Sequence, residues 1–164
     1  MAHPSPDLDL SLLPVTHREV ISEDYIDGMG HMNVAWYVHL FNGANRGFYE
    51  MFGLVRSYME ETHSGIFALE SHVRFLSEVK IGQRVTLRSR AIGRTQKRLH
   101  FVHFMSIDES DALAAVCEYV AAHIDMNVRR MSPILDPVAA GFDELLAEHR
   151  GLDWDPPLCG SIRS

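Results

Sequence analysis

EDYIDGMGHMNVAWYVHLFNGANRGFYEMF, residues 23–52, decides how this chain is read. It has two halves. Asp24 to Met32 holds two glycines (Gly28, Gly30), two acids (Asp24, Asp27) and His31, and reads as a shaped loop. From Asn33 onward the apolar residues are Val34, Tyr37, Leu40, Phe41, Ala44, Phe48, Met51 and Phe52. That is a period of three and four, kept for roughly five helical turns. Asn33 stands at the N-cap position, where a short amide accepts from the first unpaired backbone N–H groups. An acid-bearing loop therefore delivers the chain to the start of a long apolar helix. Such a helix start carries unpaired donors and about half a positive charge.

The rest of the chain sets the bounds. Its 164 residues fit one domain with a sizeable core. Hydrophobic residues make up 46% and charged residues 23%, which is the balance of a soluble globular protein. No apolar run reaches the ~18 residues of a membrane span. The opening MAHPSPDLDLSLLP is acidic and bears prolines, so it is not read as a signal peptide. A net charge of −7 argues against a nucleic-acid binder, which needs a basic face. Cys117 and Cys159 lack metal-like spacing and read as reduced thiols of a cytoplasmic protein. The ten histidines form no metal-ligand pattern, so no metal is expected.

Around the deciding stretch the elements follow in order. Residues 1–14 read as a flexible N-terminal arm, and Val15–Ile21 as a short strand. The helix contains Gly43, Ala44 and Gly47, small residues that let another backbone approach closely. Leu54–His63 reads as a short helix. From Gly65 the period changes to two. Phe67, Leu69, Ser71, Val73 and Phe75 share one strand face, and Ala68, Glu70, His72 and Arg74 the other. Strands follow over 84–91, 98–107 and 112–126, with turns at 81–83, Gly93–Thr95 and Asp108–Asp111. The last strand is apolar on both faces and reads as central. A terminal helix over 136–149 precedes the tail, 151–164.

This order predicts an α+β layout with about five antiparallel strands and one long helix too apolar to be exposed. The sheet must then curl around the helix. Its far side would carry Arg74, Arg88, Arg90 and Glu70 beside Val102, Phe104 and Ala122. A partly apolar face with open edges predicts self-association.

The run Asp27-Gly28-Met29-Gly30-His31-Met32-Asn33-Val34-Ala35-Trp36-Tyr37 fits the pattern D-x-x-G-H-x-N-x-x-x-Y. It resembles the hot-dog fold of the 4-hydroxybenzoyl-CoA thioesterase type. The element order extends the likeness over Val15 to Ser132, within a domain read as 15–150. The resemblance implies hydrolysis of an acyl-CoA thioester. It implies that Asp27 is the catalytic carboxylate and that the Val34 N–H polarises the thioester carbonyl. It implies that His31 and Asn33 shape the loop and orient the carboxylate or water. It further implies an active site at a dimer interface, in a homodimer or homotetramer. No cofactor is expected, because CoA is part of the substrate. Lys97-Arg98-Leu99-His100, the strand 114–125 and Arg129-Arg130 resemble thioesterases of carnitine breakdown, which hydrolyse betainyl-CoA. Small polar or branched acyl groups stay equally open, and so does an acyl-carrier-protein thioester, which an acidic surface disfavours because carrier proteins are themselves acidic.

The residues carry the same chemistry by themselves. A thioester carbonyl needs a donor for its oxyanion and a nucleophile or base near its carbon. Helix N–H groups at Val34 and Ala35 supply donors. Asp27 lies six residues before Asn33, across two glycines, so the loop can fold back to the helix start. Each residue also has a plainer reading. Asp27-Gly28 is a turn pair. His31 could bind loop backbone, and Asn33 could be only a cap. Gly30 shapes the turn, while Trp36 and Tyr37 belong to the core or the pocket wall. Glu70 and His72 are candidates for a second acid site, against an ion pair with Arg74. Arg94, Lys97, Arg98, Arg129 and Arg130 could hold CoA phosphates, or could be solvated. Two other classes remain. One is a non-catalytic acyl-CoA-binding hot-dog module. The other is a hot-dog hydratase or dehydratase, whose pattern resembling G-D-x-N-P-x-H is missing here.

Overall fold

Apolar periodicity becomes structure along most of the chain. The computed structural model describes residues 8–162. Strand β1 is Val15–Val20, helix α1 Val34–Glu50, helix α2 Arg56–Thr62, β2 Ser64–Phe75, β3 Arg84–Arg94, β4 Arg98–Ile107, β5 Ala112–Asp125, β6 Arg130–Met131 and α3 Val138–Arg150. The bonded strand order is β1-β3-β4-β5-β2, with β6 added beside β5. In α1 the buried apolar residues are Tyr37, Leu40, Phe41, Ala44 and Phe48, on the expected three-and-four spacing. In β5 every residue from Ala114 to Ile124 is buried, as expected of a central strand. The edge strand β2 is different, with Phe67 to His72 exposed on both faces.

Two compact units divide these elements. The first comprises the chain up to Gly47, Val73–Ser89 and His103–Cys117. Within it β1 pairs antiparallel with β3, from Val15 opposite Arg88 to Val20 opposite Arg84. The same strand passes hard against α1. A Cβ added at Gly47 would lie 2.1 Å from the Thr16 carbonyl oxygen, so only glycine permits the approach. A buried polar chain links the elements. Thr16 Oγ1 lies 2.7 Å from Ser89 Oγ, Ser89 Oγ 2.6 Å from His103 Nδ1, and His103 Nε2 2.8 Å from Asn45 Oδ1. Burial pushes the His103 imidazole down to about 3, so it is neutral. A neutral ring has one donor and one acceptor. Its Nε2–H therefore donates to Asn45 Oδ1, and its Nδ1 accepts from the Ser89 hydroxyl.

The second unit comprises Phe48–His72, Arg90–Val102 and the chain from Glu118. Its core is aromatic. Phe48 and Phe101 have ring centroids 5.1 Å apart, and Phe52 and Phe142 5.2 Å. The segment after α3 packs onto buried charges. Arg90 donates to the Trp154 carbonyl at 2.7 Å and the His149 carbonyl at 3.2 Å, with its guanidinium 4.2 Å from the Trp154 ring centre. Glu118 lies 2.8 Å from His100 Nε2 and accepts from Cys159 N–H at 2.7 Å. Each buried charge thus has partners, which a buried charge requires.

Several expectations are corrected. The β3–β4 turn begins at Thr95, because β3 runs on to Arg94. A sixth strand, β6, joins the five expected. The sheet side read as facing away from the helix is covered rather than open at four positions: Arg90 is 6% exposed, and Val102, Phe104 and Ala122 are fully buried. For Arg90 the reason is that α3 and the tail cover it. Of the expected arm, 1–7 lies outside the described residues. Residues 8–14 include a 3-10 turn at Leu10–Leu12 capped by Asp9, and Leu13 is buried. Of the tail, 163–164 lies outside the described residues. No described helix is long and apolar enough to cross a membrane.

Candidate active site

The loop before α1 is built from local hydrogen bonds. Asp27 N–H donates to the His31 carbonyl at 3.0 Å, and Gly30 N–H to the Asp27 carbonyl at 3.0 Å. Gly30 sits at φ +85°, a conformation that favours glycine. Asp27 Oδ1 accepts from Met29 N–H at 2.9 Å, which fixes the carboxylate at the turn. The same oxygen lies 3.7 Å from His31 Nδ1. The carboxylate and the imidazole therefore face each other across a closed five-residue turn.

The helix start follows at once. Asn33 Oδ1 accepts from Ala35 N–H at 2.9 Å, and the Asn33 carbonyl from Trp36 N–H at 3.0 Å. Of the two donors expected at the helix start, Ala35 is therefore occupied by the cap. The Val34 N–H has no hydrogen-bond partner among the described residues. It is the donor left for a ligand, at the positive end of a 17-residue helix.

A pocket of about 240 Å³ opens beside it, lined by His31, Met32, Val34, Tyr37, Phe75, Leu76, Ser77 and Glu78. Two segments make its walls: the loop with the first turn of α1, and the stretch from Phe75 to Glu78. They are stitched together by Met32 N–H to the Val79 carbonyl at 2.8 Å and by the Tyr37 hydroxyl to the Ser77 carbonyl at 3.2 Å. Tyr37 also meets Phe75 edge to face, with centroids 5.2 Å apart. Burial raises the Tyr37 phenol above its usual range, and Glu78 adds to this, so the hydroxyl stays protonated.

The other site residues fall as follows. Asp27 is not among the lining residues, but its Oδ1 is 3.7 Å from Nδ1 of His31, which is. Trp36 stacks on Tyr25 at 4.3 Å instead of facing the pocket. Glu70 and His72 are exposed on β2 and are not among the lining residues. Lys97 and Arg130 are exposed, and Arg98 is half-buried. These three gather near one end of β5, where His123 N–H donates to the Lys97 carbonyl and Arg130 pairs opposite Asp125. Arg94 is engaged with Asp143 in a two-pronged ion pair. Five lining residues were not expected at the site from sequence: Met32, Phe75, Leu76, Ser77 and Glu78. Met32 lies inside the quoted motif, but Ser77 and Glu78 follow a strand end with no pattern to single them out. Among the described residues no cluster could hold a metal.

Fold and site together define a hot-dog protein of the thioesterase class. The Thioesterase-like superfamily matches residues 21–142, and the chain belongs to that family. Betainyl-CoA thioesterase of Pseudomonas aeruginosa is 29% identical over 143 residues, covering 87% of this chain and 90% of that protein. L-carnitine dehydrogenase/betainyl-CoA thioesterase of Agrobacterium fabrum is 28% identical over 135 residues, 82% of this chain. This chain spans 28% of that longer relative. Among solved structures, a hypothetical protein of Staphylococcus aureus in complex with CoA superposes with a TM-score of 0.82. It is 22% identical, over 93% of this chain and 96% of that one.

Proposed function

We propose that this protein hydrolyses an acyl-CoA thioester to a free acid and CoA, and that betainyl-CoA is its substrate. The observation that carries the hydrolytic reading is the Val34 N–H. It is left unpaired at the pocket wall, with the His31–Asp27 pair beside it. The relatives' names support the betainyl reading.

In this reading the thioester carbonyl oxygen accepts from Val34 N–H, and the helix end favours the negative charge that grows on it. Asp27 acts on the carbonyl carbon in one of two ways: directly, forming a mixed anhydride that a water then hydrolyses to the free acid, or through a water whose proton it takes. Its Oδ1 is held by Met29 N–H, while Oδ2 has no hydrogen bond among the described residues. Collapse of the intermediate breaks the C–S bond. The sulfur leaves as a thiolate and is protonated to CoA. His31 orients the carboxylate or the water, and Asn33 holds the helix start in place. Lys97, Arg98 and Arg130 meet CoA phosphates.

The protein is further proposed to be cytoplasmic and to work as a homodimer or homotetramer. Exposed Phe67, Leu69 and Phe75 on the edge strand β2 support self-association. Glu70 and His72 on that strand would then complete a partner's pocket. The test is release of CoA thiol from acetyl, short and long fatty, benzoyl and betainyl thioesters by the wild-type protein. Rapid release with betainyl-CoA fastest is expected. Binding without release from any ester would favour a non-catalytic acyl-CoA-binding module instead.

A further inference from the structure

Glu78 is out of place in a pocket meant for a neutral acyl chain. A carboxylate there must give up water when the acyl group enters, and nothing on a neutral chain repays it. No Lys, Arg or His among the described residues pairs with it in an ion pair, although it is exposed. The same lining holds two aromatic rings. Phe75 is 50% exposed, and Tyr37 packs against it edge to face, with its hydroxyl turned to the Ser77 carbonyl. The pocket therefore divides its labour by segment. His31 and Val34 bring the reacting groups, while Phe75 to Glu78, with Tyr37, bring one negative charge and two rings.

That set suits one kind of ligand. A quaternary ammonium has no N–H to donate, so hydrogen-bond acceptors do not select it. Aromatic rings within about 6 Å and a diffuse counter-charge do. We propose that Glu78, with Phe75 and Tyr37, is the specificity determinant that selects acyl groups carrying a fixed positive charge. This rests on the thioesterase reading and assigns its substrate preference to particular side chains. His31 lines the same pocket, with the Asp27 carboxylate 3.7 Å from its Nδ1.

The test compares betainyl-CoA with 3,3-dimethylbutanoyl-CoA, which replaces the quaternary nitrogen by carbon and keeps the shape. Wild type should prefer the cationic ester. Glu78→Gln should lower the ratio of the two kcat/KM values roughly fivefold, the size of a partly exposed charge pair, mainly through KM for betainyl-CoA. Glu78→Lys should lower the ratio further. An unchanged ratio in both variants would overturn the proposal. An equal fall for both esters would also overturn it, by placing Glu78 in the chemistry. Wild type that releases CoA only from the neutral ester would overturn this inference and leave the thioesterase reading standing. Release from neither ester would overturn both.

Discussion

Asn33 Oδ1 takes the Ala35 N–H at 2.9 Å, and so decides which backbone donor of α1 is left for a ligand. The cap and the site are one device. Asn33→Ala should cost about 1 kcal/mol of stability, the usual loss for an N-cap. Asn33→Asp should keep the cap and the stability, yet slow turnover, because a second carboxylate beside Val34 repels the oxyanion. Urea unfolding and CoA release measured on both variants check this pair of outcomes.

Val34 is the first residue of the helix, and that position tolerates proline because its N–H has no intrahelical partner. Val34→Pro should therefore fold normally while losing the one donor that the mechanism uses. Turnover should fall by about 10²–10³. Circular dichroism and kcat, measured on the same preparation, separate lost folding from lost chemistry.

Much of this was legible beforehand, for physical reasons. The helix from Val34 and the cap at Asn33 followed from spacing, because α1 buries one regular face. The central position of β5 followed from its apolar run. What escaped depended on distant partners. Arg84, Arg88 and Arg90 alternate along β3 and look like one solvated face. Arg90 is buried only because His149 and Trp154, some 60 residues later, supply carbonyls and a ring. Glu78 escaped because it follows a strand end, where no periodicity marks the direction of a side chain. The two residues of β6 are too few to carry a pattern.

Gly47 marks the closest approach of β1 to α1. Gly47→Ala would set a methyl group 2.1 Å from the Thr16 carbonyl oxygen, and all three of its nearest atoms are backbone. The loss should be at least about 3 kcal/mol, with little folded protein recovered. Gly93→Ala, where nothing lies within 4 Å of the added carbon, should stay within about 0.5 kcal/mol of wild type. Denaturant melts of both check the contrast.

Acid should weaken the fold well before ordinary carboxylates titrate. His103 is held neutral down to about 3 by burial, whereas an unfolded imidazole protonates near 6.5. Between those values the unfolded chain binds more protons. This contribution to stability is therefore complete above pH 6.5 and is lost progressively as the pH falls toward 3. His123 and His149, also lowered by burial, act in the same direction. Melting temperature should decline from pH 6.5 to 4, and His103→Gln should make that decline shallower. A flat profile in the wild type would contradict the buried neutral histidines.

In the proposed reaction the Asp27 carboxylate drives thioester hydrolysis at the start of α1. The direct measurement is CoA thiol release from betainyl-CoA by wild type and Asp27→Asn, with ester binding measured on both by calorimetry. Asparagine can still accept from Met29 N–H, so the loop should hold and binding should persist. Turnover should fall by at least about 10² while affinity changes little. Equal turnover in the two proteins would contradict it, and would move the search for the carboxylate to Glu70 first.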